Sequence, residues 1–410
     1  MKLMHTADWH LNDRLGGQDR TEHLRRRVER VAELCQGNEV DVLMIAGDVF
    51  SEQATAIQVA DSFRHLRATF RPFFQRGGTI LAVTGNHDQD GRVRPFIELA
   101  RAGMDIAEPP RRAGDHFARG KIYLLDSVFF GRVRDSAGME VQFALLPFPS
   151  HSRMLIGAEQ ETTADQLNRP IAQRITDWIK GLRADPRFDA RLRTVFVAHM
   201  SVTGAQLSRG RFTLTEQYDV IADANDLPSG WDYVALGHVH KPQCLGGLAH
   251  VRYAGSLDRL DFAERDEDKG IVLVDIGPDG RKGEPRFIAI EPTPLVDVRV
   301  TDANVTSDQL EAQVPDPELA LVRVTVEREA SADATGSVDR AIREALPFVT
   351  SVSWQAPELV GTSAARTIEM KATVHETVLE YLRGRLQEDD PQRAALLRLT
   401  EQFLELEGHQ

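Results

Sequence analysis

From residue 1 to about 276 the chain alternates short apolar runs with longer stretches of mixed polarity. The runs fall at Lys2–His5, Val40–Ala46, Thr79–Thr84, Val141–Pro147, Thr194–His199, Tyr233–Gly237 and Ile271–Ile276. Several are apolar on both faces, as in Val42-Leu43-Met44-Ile45-Ala46, the pattern of a strand covered on two sides. Between the first two runs, Val28, Val31, Ala32 and Cys35 are spaced to line one face of a helix over Thr21–Gln36. A second helix is expected from Ala56 to about Phe70. Strands alternating with helices predict an α/β fold.

After Ile276 the texture changes. Gly277-Pro278-Asp279-Gly280 is a turn cluster, and Pro285, Pro292 and Pro294 mark a connecting passage. Beyond it the pattern predicts strand Leu295–Val300, helix Ser307–Gln313, strand Leu319–Glu327, helix Ser337–Leu346 and strand Phe348–Gln355, a small α+β module. Further on, Val374, Val378, Tyr381, Leu382 and Leu386 recur at helical spacing. Asp390-Pro391 then supplies a cap and a first-turn proline for a second helix carrying Leu396, Leu399, Phe403 and Leu406. Two such amphipathic helices either cover the body or dock on a partner. The expected organisation is therefore 1–276, 285–360 and 366–410.

Composition narrows the class. The 410 residues are 42% hydrophobic and 27% charged, enough to build a sizeable core, which excludes wholesale disorder. No run approaches the ~18 apolar residues of a membrane-spanning helix. Met1–His10 lacks the basic start and apolar centre of a secretory signal, so none is expected. Cys35 and Cys244 are too few for a disulfide framework or a four-thiolate zinc site, and a reducing, cytoplasmic setting is expected. A net charge of −13 argues against a chain that coats nucleic acid by itself. It leaves room for a nuclease whose carboxylates hold metal and whose DNA affinity comes from a local patch or a partner.

The candidate chemistry lies just past the predicted strand ends. Asp8-Trp9-His10 follows the first run, Gly47-Asp48 the second and Gly85-Asn86-His87-Asp88 the third. His199 ends a fourth, and Gly237-His238-Val239-His240 follows a fifth. In open α/β sheets, ligands bind at that rim. Singly, each residue has an ordinary structural use, as a cap, a turn or a surface histidine. Together, Asp8, His10, Asp48, Asn86, His199, His238 and His240 form a mixed oxygen and imidazole set. It suits manganese, iron or zinc, in two ions rather than one. Two ions roughly 3.5–4 Å apart suit phosphate ester hydrolysis. His87, one residue after Asn86, is the candidate to assist the leaving oxygen. His23, His65, His116, His151, His250, His375 and His409 lie outside the pattern.

These motifs resemble the calcineurin-like metallophosphoesterase signature, and their order and spacing look most like its DNA-repair branch, the Mre11/SbcD nucleases. The opening His5-Thr6-Ala7-Asp8-Trp9-His10-Leu11-Asn12 and the Gly-Ser…Phe…Glu…Lys-Gly passage at Ala254–Gly270 carry the narrower likeness. The resemblance implies a two-sheet α/β sandwich with helices outside, then a small capping domain. It implies that Asp8, His10, Asp48 and His240 hold one manganese, and Asp48, Asn86, His199 and His238 the other, with magnesium, iron or zinc as alternatives. His87 would serve the leaving 3′ oxygen. The implied partners are DNA, an SMC-like ATPase (SbcC or Rad50 type) on the terminal helices, and a second copy of the chain. The implied location is cytoplasmic and nucleoid-associated, with no membrane. Where some relatives carry a histidine after the second motif, this chain has Phe50-Ser51-Glu52.

Two arginine groups are candidate DNA contacts: Arg14 and Arg20 after the first motif, and Arg111 and Arg112, which open a cationic stretch with Arg119, Lys121, Arg132 and Arg134. Arg25, Arg26, Arg27 and Arg30 read as a solvated helix face beside Glu22 and Glu29. A stand-alone phosphoesterase acting on a small nucleotide or phosphoprotein is the alternative function. Gly-Asn-His-Asp and Val49-Phe50 depart from the Gly-Asn-His-Glu and Asp-Arg-Gly of phosphoprotein phosphatases.

Overall fold

The computed structural model describes residues 1–89, 116–149, 164–208, 221–224, 227, 230–301, 306–327, 332–355, 393–394 and 396–400. By contacts the chain divides into residues 1–355 and 356–410.

In the first unit two sheets face each other. In one, strands Lys2–Thr6, Val42–Ala46, Thr79–Val83 and Ile122–Leu125 run parallel. Lys269–Gly277 pairs antiparallel with the first of them, and Arg286–Ile290 and Gly280–Arg281 pair antiparallel with Lys269–Gly277. In the other, Glu140–Leu146, Arg193–His199, Tyr233–Gly237 and Leu248–Tyr253 run parallel. Antiparallel Phe129–Arg134 and Gln243–Leu245 form its edges.

Side chains alternate across each strand. Leu3, Val42, Met44, Phe143, Val195 and Ala235 fill the space between the sheets. Met4, Leu43 and Ile45 face outward against Val28 and Val31 of helix Thr21–Gly37 and Val59 and Phe63 of helix Ala56–Thr69. Phe196, Val234 and Leu236 face outward against Ile171, Ile175 and Ile179 of helix Ala164–Ala184. The apolar runs are apolar throughout because both faces are covered. The two-sheet sandwich with outer helices is thus the fold.

The small module has three parallel strands, Leu295–Val300, Leu321–Glu327 and Val349–Gln355. Helices Ser307–Glu311 and Ala332–Ala345 cover them around Val298, Val324, Leu310 and Ile342. The module joins the sandwich through a buried cluster of Leu15, Phe262, Leu295 and Leu321. One expected boundary moves. Arg286–Ile290 is a strand of the first sheet, so the sandwich extends to residue 290 instead of ending at 276. Pro285 precedes this strand and Pro292 and Pro294 follow it, bracketing it without removing a ladder donor.

In the second unit, residues 393–394 and 396–400 are helical, within the second terminal helix expected from the sequence. The first terminal helix lies outside the described residues. Among the described residues no helix is long and apolar enough to cross a membrane.

His5 bridges the sheets. The Leu236 carbonyl, 3.2 Å away, can only accept, so Nε2 donates to it, and Nδ1 accepts from the Tyr233 hydroxyl at 2.9 Å. Burial pulls this imidazole down to about 3. The unfolded chain therefore binds a proton below pH ~6.5 that the folded chain refuses, so stability falls as pH drops from there towards 3. Urea titrations should lose about 1.4 kcal/mol per pH unit from this residue alone, and His5→Gln should flatten the slope.

Candidate metal centre

All five strand ends that carry candidate ligands open on one rim, because the parallel strands of both sheets deliver their carboxyl ends there. The chain turns sharply at each. Asp8, His10, Asp48 and His238 have φ of 52°, 43°, 50° and 97°. They are four of the seven non-glycine residues in the left-handed region among the described residues, a conformation that side-chain-bearing residues keep only where the surroundings enforce it. Here the surroundings are backbone hydrogen bonds across strand ends: the amides of Asp8 and His10 donate to the carbonyls of Gly47 and Asp48, each at 3.0 Å. Both Asp8 carboxylate oxygens accept from the His238 amide, at 3.0 and 3.1 Å. Asp48 Oδ1 accepts from the His87 amide at 2.9 Å.

Two glycines make the approach possible. A Cβ on Gly47 would lie 2.0 Å from His199 Nδ1, and one on Gly85 would lie 1.9 Å from Asp48 Oδ1.

The result is a buried cluster of oxygen and imidazole donors. Asp8, His10 and His240 bring ligand atoms within 4.8 Å of one another; so do Asp8, Asp48 and His199, and so do His10, Asp48 and His87. Asn86 Oδ1 lies 2.9 Å from His199 Nε2 and 3.2 Å from His238 Nδ1. His199 Nδ1 donates to the Ala46 carbonyl at 2.7 Å, which leaves Nε2, 3.3 Å from Asp48 Oδ2, as the ring nitrogen that could hold a metal. The three overlapping groups share Asp8, Asp48 and His10, so a single ion does not exhaust the donors. With no thiolate among them, the set fits two cations of the manganese, iron or zinc kind.

Residues 1–242 match the family model described as calcineurin-like phosphoesterase. The chain belongs to that family. Among curated relatives, the SbcD component of the nuclease SbcCD from Escherichia coli strain K12 is 26% identical over 67% of this chain and 64% of its own length. The SbcD component from Rhodobacter capsulatus is 29% identical over 72% of this chain and 71% of its own. The DNA double-strand break repair protein Mre11 of Aeropyrum pernix is 26% identical over 73% and 64%. The match thus spans just under two thirds of the length of the Escherichia coli relative.

The charge balance of this phosphoesterase centre follows from burial. Burial alone would push Asp48 up, yet His199, His87 and His10 hold it well below the usual carboxylate range. Burial pulls His199 and His87 down, but the Asp48 charge carries both up to about 9, helped at His87 by Glu52, 3.3 Å from Nδ1. Asp8 is raised by burial and, in smaller part, by Asp48. Two buried carboxylates so close demand positive charge, which imidazolium protons or divalent cations can supply.

Sequence reasoning passed over Asp88. Its carboxylate accepts from the amides of Gly85, Val49 and Phe50 at 2.9, 3.1 and 2.9 Å, clamping the second and third ligand loops together. Burial and the nearby Asp48 charge push it up to about 6 against those hydrogen bonds. Its place in Gly-Asn-His-Asp was the signal that could have found it.

The arginine expectations need correction. Arg20 is fully buried, 3.2 Å from Asp258 and 3.8 Å from Asp13, so it holds the loop after the first motif and does not face DNA. Arg27 also turns inward, to 3.8 Å from Asp258, and is no part of a solvated face. Arg132 donates to the Arg187 carbonyl and Arg134 to Glu140, both at 2.8 Å. Arg14 is exposed and donates to the Gly17 carbonyl. Arg111 and Arg112 lie outside the described residues.

Gly85→Ala should displace Asp48 and weaken manganese binding, measured by calorimetry, by about 10- to 100-fold, the range for lost ligand support. Unchanged affinity would show that the loop can yield.

Proposed function

We propose that this chain is the nuclease component of an SbcD/Mre11-type complex, hydrolysing phosphodiester bonds at DNA ends beside an SMC-like ATPase in double-strand-break repair. One observation carries the reading: two buried carboxylates, four buried imidazoles and the half-buried Asn86 amide, from five strand ends of two sheets, converge on one rim. The relatives, SbcD of the nuclease SbcCD and the DNA double-strand break repair protein Mre11, supply the substrate class.

In this reading Asp8, His10, Asp48 and His240 hold one manganese and Asp48, Asn86, His199 and His238 the other; magnesium, iron or zinc could substitute. Bound ions would activate water and neutralise phosphoryl charge. The chain's own residues set the rest. Asp48 Oδ2 is 3.6 Å from His10 Nε2 and 3.3 Å from His199 Nε2, which supports its role as a carboxylate shared by the two ions. The His87 ring stands 4.9 Å from that of His10 and is tethered by Glu52, so it can hold a proton beside the leaving 3′ oxygen. Arg14, Arg111 and Arg112 are the proposed backbone contacts to DNA. The terminal segment 366–410 is proposed to bind the ATPase, the chain to act as a homodimer, and the complex to work in the cytoplasm at the nucleoid.

Labelled duplex DNA incubated with manganese, magnesium or chelator tests the activity. Cleavage with manganese and none with chelator is expected; hydrolysis of small nucleotides with DNA left intact would favour the stand-alone phosphoesterase. His87→Ala should keep metal and lose about 10²- to 10⁴-fold in cleavage rate, whereas Asp48→Ala should lose both. Deleting 366–410 should abolish ATPase binding, measured by co-purification, and spare manganese-dependent cleavage of small phosphodiesters.

A further inference from the structure

Beside the ligand cluster lies a buried ion pair that the proposed reaction does not use. Glu264 and Lys269 are 1% and 0% exposed, with Glu264 Oε2 2.8 Å from Lys269 Nζ. Removing both charges from water is costly, and such a pair is weak support for stability. Both partners nevertheless converge on one residue. Glu264 Oε1 lies 3.2 Å from His240 Nδ1, and Lys269 Nζ donates to the His240 carbonyl at 3.0 Å.

The geometry points to Glu264, held by Lys269, as a positioning residue that fixes the ring and tautomer of His240 as a metal ligand. This rests on the reading that His240 holds a cation. A carboxylate can only accept, so it selects the His240 tautomer with the proton on Nδ1 and leaves the Nε2 lone pair for metal. Lys269 occupies the other carboxylate oxygen, which also accepts from the Leu260 amide at 3.1 Å, so Glu264 cannot swing away. The carboxylate is set from its own backbone as well: Glu264 ends the short turn Phe262–Glu264, whose Ala263 amide donates to the Asp261 side chain at 2.9 Å. Two residues earlier, Phe262 packs with Leu15, Leu295 and Leu321, under the Arg323 guanidinium 4.6 Å from its ring centre. His199 is oriented differently, by the Ala46 carbonyl, so loss of Glu264 should disturb one ion and spare the other.

Calorimetry and electron paramagnetic resonance with manganese alone, on the full chain, test this. Wild type should bind two ions. Glu264→Ala should weaken one by about 10- to 100-fold and leave the second unchanged, since Lys269 retains Glu267 at 3.0 Å and the His240 carbonyl. Glu264→Gln keeps an acceptor for Nδ1, and Lys269 retains Glu267 and the His240 carbonyl, so this variant should hold both ions near wild-type affinity. Two ions bound normally by Glu264→Ala, equal weakening of both, or failure of Glu264→Gln to restore the weakened ion would overturn the assignment. A wild type that binds no manganese would instead overturn the metal reading on which it rests.

Discussion

Asp8 and Asp48 are two carboxylates buried within reach of the same imidazole, that of His199, and the rest of the rim is arranged around that electrostatic demand. Buried like charges are tolerated only with opposite charge or hydrogen-bond donors against them. The structure provides both: main-chain amides of His238 and His87 on the carboxylate oxygens, and a ring of histidines beyond. The same features that stabilise the carboxylates make the site a cation trap.

Holding this arrangement takes backbone strain at the ligand-type residues themselves. Four ligand-type residues sit in left-handed backbone, a conformation costing on the order of 1–3 kcal/mol each. The compensation is a set of buried polar clamps. Asp88 joins the second and third loops through three amides. Asp258 collects Arg20 together with the amide and hydroxyl of Thr293, tying the loop after the first motif to the passage that leads into the small module. Glu264 and Lys269 brace the last loop. The module is thus joined to segments that carry or brace ligands, through Leu15 on one and Phe262 on another.

Much of this was legible in the chain. Strands apolar on both faces announce themselves, and Lys2–Thr6, Val42–Ala46, Tyr233–Gly237 and Leu295–Val300 fall where the pattern put them. Edge strands are harder to read. Phe129–Arg134 and Arg286–Ile290 alternate apolar with arginine or half-exposed positions and carry weak patterns. The ligand-type residues were legible because each follows a strong strand within a few residues. Asp88 and Glu264 both stand within quoted motifs, Gly-Asn-His-Asp and Gly-Ser…Phe…Glu…Lys-Gly, but their contacts are with residues distant in the chain, such as Val49 and His240, so the sequence alone assigned them no role. Arg20 misled because charge is local information and burial is not: nothing near it in the chain announces Asp258, 238 positions away.

By itself, then, the order of residues determined where strands end and which chemical groups stand at those ends, since both follow from local periodicity and residue type. Only the folded chain decided that two separate sheets present their ends to one rim, which candidate groups meet there, and which arginines face inward. Those outcomes depend on distances between residues far apart in sequence, and packing of the two sheets against each other is what sets them.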